Sequence, residues 1–184
     1  MFSLPIGESV AIELHYTYSS TMVALSLLMG ILGSFTALCC NARMNANSFI
    51  SKRIWLFLSS LAMGLAIWGL HFIGIGAIVF PVALTQNFTL TALSFIPAFT
   101  ASFLAFYFVN QPRKSKKLYV ISAILMGAGI SMMHYVGMFA LIFENVSHYY
   151  DPLWFTISIA IAIIVSYVAL LIFSNNKVYS TRAF

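Results

Sequence analysis

Charge is what this chain has least of. Nine Lys or Arg and four Asp or Glu make up 7% of 184 residues, against roughly 25% in a soluble domain whose surface must face water. A conventional soluble globule is thereby excluded, and with 61% hydrophobic residues lipid is the solvent that suits most of the surface. Cysteine is also scarce. The two present, Cys39 and Cys40, are adjacent, and neighbouring cysteines seldom bridge each other, so no disulfide framework is expected. They read as small packing residues. The sequence contains no GxxxxGK phosphate loop and no dinucleotide-binding glycine signature. Its polar connections are too short for a catalytic domain, so the chain is expected to be a non-enzyme. The first residues, MFSLPIGESVAIELHYT, lack the basic start and apolar core of a cleavable signal, and the N-terminus is expected to be retained.

What the chain has instead is long apolar runs. Five stretches, 18–40, 54–80, 88–109, 118–143 and 153–173, contain no Asp, Glu, Lys or Arg. Each reaches the roughly 20 residues that a helix needs to cross a bilayer core of about 30 Å. None alternates with period two, which excludes barrel strands. The expected fold is all-α: a polytopic bundle of five transmembrane helices in one domain, 1–184.

The formal charge of +5 might suggest nucleic acid, but its distribution speaks against that. Arg43, Lys52, Arg53, Arg113, Lys114, Lys116, Lys117, Lys177 and Arg182 follow span one, join spans three and four, or follow span five. Glu8, Glu13, Glu144 and Asp151 all fall on the other side. Basic residues collect on the cytoplasmic side of short loops, so the N-terminus is expected outside and the C-terminus inside. The basic loops are expected to touch anionic lipid headgroups. Asp151-Pro152 reads as the N-cap and first turn of span five.

The chain repeats itself with a period of 63 residues. MGLAIWGLHFIGIGAI at 63–78 matches MGAGISMMHYVGMFAL at 126–141, with Met63/Met126, Gly64/Gly127, Ile67/Ile130, His71/His134, Gly74/Gly137 and Ala77/Ala140 identical. Spans two and three form one outward-and-return unit, and spans four and five form the other. The two units are parallel repeats. Span one reads as the second half of an earlier unit, led by LHYT at 14–17, which resembles LHFI at 70–73 and MHYV at 133–136. An array that starts mid-unit is expected to be short or truncated, and NNKVYSTRAF is where another outward span is expected to begin.

At 1.5 Å per residue, His71 and His134 come out about 25 Å across the core, near the outer face. His15 precedes span one and His148 falls in the outer loop before span five, so all four histidines share one level. Ionisable residues in or near a bilayer are costly and mark function by default. His134 and Met138 are four residues apart on one helix face, with Gly137 on that face and Gly127 two turns back. Glycines at Gly64, Gly74, Gly127 and Gly137 let helices approach closely and bring ligands from different spans together. Imidazole and thioether a turn apart suit copper, with the soft sulfur favouring Cu(I). Span two has Ile75 where span four has Met138. Trp68 lies deep enough to be bundle packing.

LHYT, LHFIG, MHYVGM and the HYYDP before the last span together resemble the MHYT domain family, over nearly the whole chain. The resemblance implies a sensor module of the bacterial inner membrane. Its site would be built at the outer face from Met, His and Tyr, would hold copper, and would sense a diatomic gas such as O2, CO or NO. Carried over, the site comprises His15, His71, Met133, His134 and Met138, with Tyr16, Tyr135 and His148 as secondary candidates. It also implies a cytoplasmic output partner of diguanylate cyclase, phosphodiesterase or histidine kinase type. Leu14, Leu70, Phe72 and Ile75 depart from the family pattern and leave the site poorer in thioether.

Two other readings stay open at this point. His71 and His134 occupy equivalent places on two helices, as bis-histidine haem ligation in an electron-transfer protein requires. Outer-face His and Met could instead collect copper for a transporter or metallochaperone, although the inner halves of the spans show no ladder of polar or soft ligands. A homo-oligomer is compatible with either.

Overall fold

The computed structural model describes residues 2–3, 17–44, 51–80, 84–112, 115–143, 147–148 and 151–175. Six helices carry it: α1 (Ser20–Met44), α2 (Lys52–Gly76), α3 (Phe88–Leu93), α4 (Phe95–Val109), α5 (Lys116–Phe139) and α6 (Pro152–Asn175). Five helical segments, with α3 and α4 counted together as 88–109, are each long and apolar enough to cross a membrane. The expected five-span helical bundle is therefore the fold, and the chain is a multi-pass membrane protein.

The starts of the helices follow from their caps. Ser51 accepts from the Arg53 amide, Ser115 from Lys117, and Asn87 from Leu90. Asp151 Oδ1 accepts from Leu153 at 2.8 Å and Trp154 at 3.4 Å, which makes it the expected cap of α6. Span three divides at Ser94 because of Pro97. A proline in that place cannot donate to the Leu93 carbonyl four residues back, and its ring crowds it.

Two span ends need correction. The sequence stretches 54–80 and 118–143 run on past their helices, which stop at Gly76 and Phe139. The amides of Ala77 and Ala140 close the last turns onto Gly74 and Gly137. Both alanines are fully buried, and their carbonyls turn outward to new partners: Ser19 N donates to Ala77 O at 2.8 Å, and Asn87 N to Ala140 O at 2.9 Å. Extended pairing takes over beyond them. Thr17–Tyr18 (β2) pairs with Ile78–Val79 (β3), and Leu84–Gln86 (β4) with Leu141–Phe143 (β5), both antiparallel. A third ribbon joins Phe2–Ser3 (β1) to Ser147–His148 (β6). These ribbons are an addition that apolar composition could not announce. They satisfy backbone groups where the helices end.

The helices pack in the order α1 on α2, α2 on α4, α4 on α5 and α5 on α6. Consecutive long helices run antiparallel, so one end of the bundle carries the histidines. The other carries Arg43, Lys52, Arg53, Lys116 and Lys117. The core near that basic end gathers Ala37, Met44, Trp55, Leu56, Phe106, Val109, Ala123 and Leu170. Trp68 packs between Phe72 and Phe95 and donates Nε1–H to Thr91 O at 3.0 Å, as a deep tryptophan should. Cys39 and Cys40 are half-buried free thiols.

The basic half is more polar inside than the sequence reading allowed. Asn41, Ser59, Ser60, Ser102 and Ser122 are all fully buried. Ser59 and Ser60 donate back to Leu56 O and Ser102 to Ala98 O, so these three hydroxyls are consumed within their own helices, whereas Ser122 Oγ and Asn41 Nδ2 have no partner.

Candidate functional site

Each helix of the repeat carries its histidine five residues before its end, His71 before Gly76 and His134 before Phe139. That is about 7.5 Å from the helix terminus. Helices α2 and α5 touch only sparingly, and the contact is made here. The Nδ1 atoms of His71 and His134 lie 3.3 Å apart, and the rings meet edge to face with centroids 4.9 Å apart.

Glycine makes this approach available. A Cβ added at Gly137 would stand 2.7 Å from His71 Nε2 and 3.0 Å from Phe72 Cζ, so any side chain there would displace the imidazole. The other glycines serve different neighbours. Gly64 lies against the Phe99 backbone, with an added Cβ 3.0 Å from Phe99 Cα, and Gly127 against Ile163, at 2.6 Å from its Cα. Those two close the helix pairs α2–α4 and α5–α6. Gly74 is the exception among the four, because a Cβ there would meet nothing nearer than Ser26 at 3.9 Å. It has room for a side chain.

His71 is half-buried, and its Nε2 is sealed behind Gly137 with no hydrogen-bond partner. His134 is exposed at the bundle surface. Tyr135 meets His134 edge to face with centroids 5.0 Å apart, and its hydroxyl lies 2.7 Å from Ser158 Oγ on α6. Ser158 was not foreseen from the sequence. Its counterpart one repeat period earlier is Phe95, which carries no hydroxyl, so the repeat gives no signal for it.

Other expected members are distributed as follows. Met133 is 2% exposed and lies in the packing, while Met138 is half-buried one turn beyond His134. His15 and Tyr16 lie outside the described residues, although the chain directly after them pairs with β3 beyond the end of α2. The backbone of His148 pairs with Phe2 at the same end of the bundle. No set of three His, Cys, Asp or Glu side chains converges among the described residues.

The pair can be tested against the groups the sequence suggested. Two nitrogens bound to one tetrahedral ion at about 2.0–2.1 Å stand about 3.3 Å apart, which is the Nδ1 separation observed. The same separation is that of an imidazole–imidazole hydrogen bond in which either ring can donate, so the distance admits a shared ion without requiring one. The imidazoles do not fit haem: the rings are in direct contact, and no slot remains between them for a macrocycle.

Comparison with known proteins places this arrangement. The family model MHYT, described as a bacterial signalling protein N-terminal repeat, matches residues 64–122 and 127–184. The chain is 39% identical over 84% of its length to the bifunctional diguanylate cyclase/cyclic di-GMP phosphodiesterase MucR of Pseudomonas aeruginosa, covering 22% of that protein. It is 36% identical over 84% of its length to the cyclic di-GMP phosphodiesterase NbdA of the same organism, covering 19%. It is also 33% identical over 90% of its length to the signaling protein YkoW of Bacillus subtilis, covering 20%. The chain thus spans about a fifth of the length of these relatives. No solved structure matches it. The two matched repeats begin on Gly64 and Gly127, the glycines that close each helix pair, and on this evidence the chain belongs to the MHYT family of bacterial signalling repeats.

Proposed function

We propose that this chain is a membrane-embedded input module of bacterial signalling in the cytoplasmic membrane. It senses a diatomic gas such as O2, CO or NO, or a redox signal, through copper held at the histidine end. The observation that carries the reading is the 3.3 Å approach of His71 Nδ1 to His134 Nδ1. His71 and His134 would hold the metal, with Met138, Met133 and His15 as further donors. Bound copper would supply an open coordination position and a one-electron redox change. Tyr135, tied to Ser158, would fix the orientation of the rim and link the site to α6.

Orientation belongs to the same proposal. Segregated charge puts the basic end in the cytoplasm, and the relatives named for cyclic di-GMP enzymes suggest an output of that kind there. The chain itself would contribute sensing and not catalysis. Elemental analysis of protein purified without a histidine tag tests the reading: about one copper per chain or per pair of chains is expected, and its absence from protein loaded with Cu(I) under argon would sink it.

A further inference from the structure

The two repeats are joined differently at the histidine end. In the first, aromatic rings lock α2 to α4. Trp68 meets Phe72 and Phe95 with centroids 5.0 and 6.5 Å apart, and Phe95 stacks on Phe99 at 6.0 Å. Trp68 Nε1–H also reaches Thr91 O and Ser94 Oγ where α3 meets α4. One period of 63 later, the positions of Trp68, Phe72, Phe95 and Phe99 hold Ser131, Tyr135, Ser158 and Ala162. Three of the four rings are gone, and with them the interlocking contacts that aromatic pairs supply. Ser131 donates back to Gly127 O within its own helix, so Tyr135 and Ser158 carry the joint at these positions.

Burial divides α6 in the same way. No residue from Asp151 to Val165 is buried, whereas Ser166 and Leu170 in the inner half are. An edge helix need not be held so lightly. The other edge helix, α1, is fixed along its outer half by Gly30 against Leu70, Met29 against Gly69 and Gly33 against Ala66. Ser19 N ties its start to Ala77 O. On α6 the close glycine contact lies at mid-helix, where a Cβ added to Gly127 would stand 2.6 Å from Ile163 Cα. Beyond it, toward the histidine end, Tyr135 packs on Phe155 with centroids 4.5 Å apart. Ser158 Oγ gives its proton to Phe155 O at 2.8 Å, so the Tyr135 hydroxyl donates to Ser158 at 2.7 Å.

We infer that the outer half of α6, residues 152–162, is a lever that pivots where Ile163 meets Gly127, with Tyr135 as the latch holding it to α5. Segments with few buried contacts open at the least cost, and hinged helices are a common form of switch. The Tyr135 ring lies edge to face on His134, so any displacement of that imidazole reaches the latch directly. That the lever reports on the histidine pair rests on the sensing function proposed above. The lever itself does not. From Ile163 to Leu153 the helix rises about 15 Å, so a tilt of roughly 15° moves Leu153 by about 4 Å.

The test uses the full chain in lipid nanodiscs, with Cys39→Ala and Cys40→Ala to clear the native thiols. Paired nitroxide labels are read by double electron–electron resonance. Leu153→Cys and Leu93→Cys, both at exposed positions, measure the lever against α3, and Leu25→Cys with Leu93→Cys measures the frame alone. Tyr135→Ala should shift or broaden the 93–153 distance by about 4 Å and leave the 25–93 distance as it is. Tyr135→Phe combined with Ser158→Ala disturbs packing less. It should give a smaller change in the same direction, and it decides the matter if Tyr135→Ala does not fold. A 93–153 distance that neither variant moves overturns the proposal. So does equal broadening of both pairs, because the bundle then loosens as a whole. Cu(I) is finally added to the labelled parent chain. A shift matching that of Tyr135→Ala supports release of the latch from the histidine pair. A lever that Tyr135→Ala moves and Cu(I) does not keeps the hinge and removes copper as its trigger.

Discussion

His71 and His134 are one repeat period apart in sequence, and their Nδ1 atoms come within 3.3 Å of each other in space. Repetition has here produced convergence. Each copy supplies one ring of the pair. The glycine that follows each histidine does not work symmetrically. Gly137 receives the His71 ring, while Gly74, its counterpart, faces Ser26 across ordinary contact distance.

That asymmetry can be measured directly. Gly137→Ala should force the His71 ring out of place and cost about 1–3 kcal/mol, as overpacking does. Gly74→Ala should be neutral, or stabilise by up to about 0.5–1 kcal/mol through the lost flexibility of glycine in a helix. Both can be read from unfolding in mixed micelles, and Gly137→Ala should lower copper affinity as well. Equal tolerance of the two substitutions would show that the glycine does not set the histidine approach.

Metal affinity should depend on both imidazoles. His71→Ala or His134→Ala leaves one nitrogen, and each should weaken Cu(I) by more than about a hundredfold, the upper end of what an outer-shell change costs. Met138→Leu nearly conserves volume, so a loss of affinity there would be chemical. It should weaken Cu(I) more than Cu(II), because thioether is a soft ligand. An unchanged Cu(I) affinity in Met138→Leu, measured by competition with a chromogenic chelator, would remove the methionine from the site.

Much of the architecture was legible in the sequence because apolar run length and charge exclusion are strong, local signals. The 88–109 run agrees with the combined α3–α4 segment at both ends, and the cap at Asp151 was readable from its own dipeptide. What failed was where composition stays apolar while the backbone changes. Ala77–Phe80 and Ala140–Phe143 are as hydrophobic as the helices before them, yet their backbone groups pair with β2 and β4. The histidine pair was legible as a shared depth, and glycine was expected to bring its helices together, but the direct Nδ1–Nδ1 contact was not. That contact depends on which face of α5 Gly137 presents to α2, a tertiary fact. Ser158 and Asn110 escaped notice because a lone hydroxyl or amide carries no periodicity.

Topology is the next test. A phosphatase reporter, active only outside the cytoplasm, should be silent when fused after Phe184 and active when inserted at 81–88. The opposite pattern would place the histidine end inside the cell and exclude sensing at the outer face.

Helix α6 packs on α5 and is tied to it near the site through Tyr135 and Ser158, whose oxygens are 2.7 Å apart. Tyr135→Phe should cost about 0.6 kcal/mol, the average for an interhelical hydrogen bond in a membrane. Ser158 Oγ also donates to Phe155 O at 2.8 Å, so Ser158→Ala should cost the more of the two, and the double variant should cost no more than Ser158→Ala alone. Additive losses would mean that the two hydroxyls have separate partners.

At the basic end, Asn110 Nδ2 donates to Asn41 Oδ1 at 2.8 Å and to Phe106 O at 2.7 Å. Asn41 is fully buried, and its own Nδ2 has no partner. The two residues should therefore respond differently to substitution. Asn110→Ala takes away the donor to Asn41 Oδ1 and leaves a buried amide with an unmet oxygen beside its unmet nitrogen, a loss of about 1–3 kcal/mol. Asn41→Leu removes the orphaned nitrogen together with the oxygen, and Asn110 keeps its bond to Phe106 O. Asn41→Leu also takes the acceptor from one N–H of Asn110, but that residue is only half-buried and keeps Phe106 O, so the loss should be smaller than for Asn110→Ala, about 0.5–1 kcal/mol. Unfolding of the two variants, side by side in the same micelles, gives the comparison. An Asn41→Leu chain as unstable as Asn110→Ala would show that the Asn41 amide has a partner that matters, and that the α1–α4 link is a satisfied network.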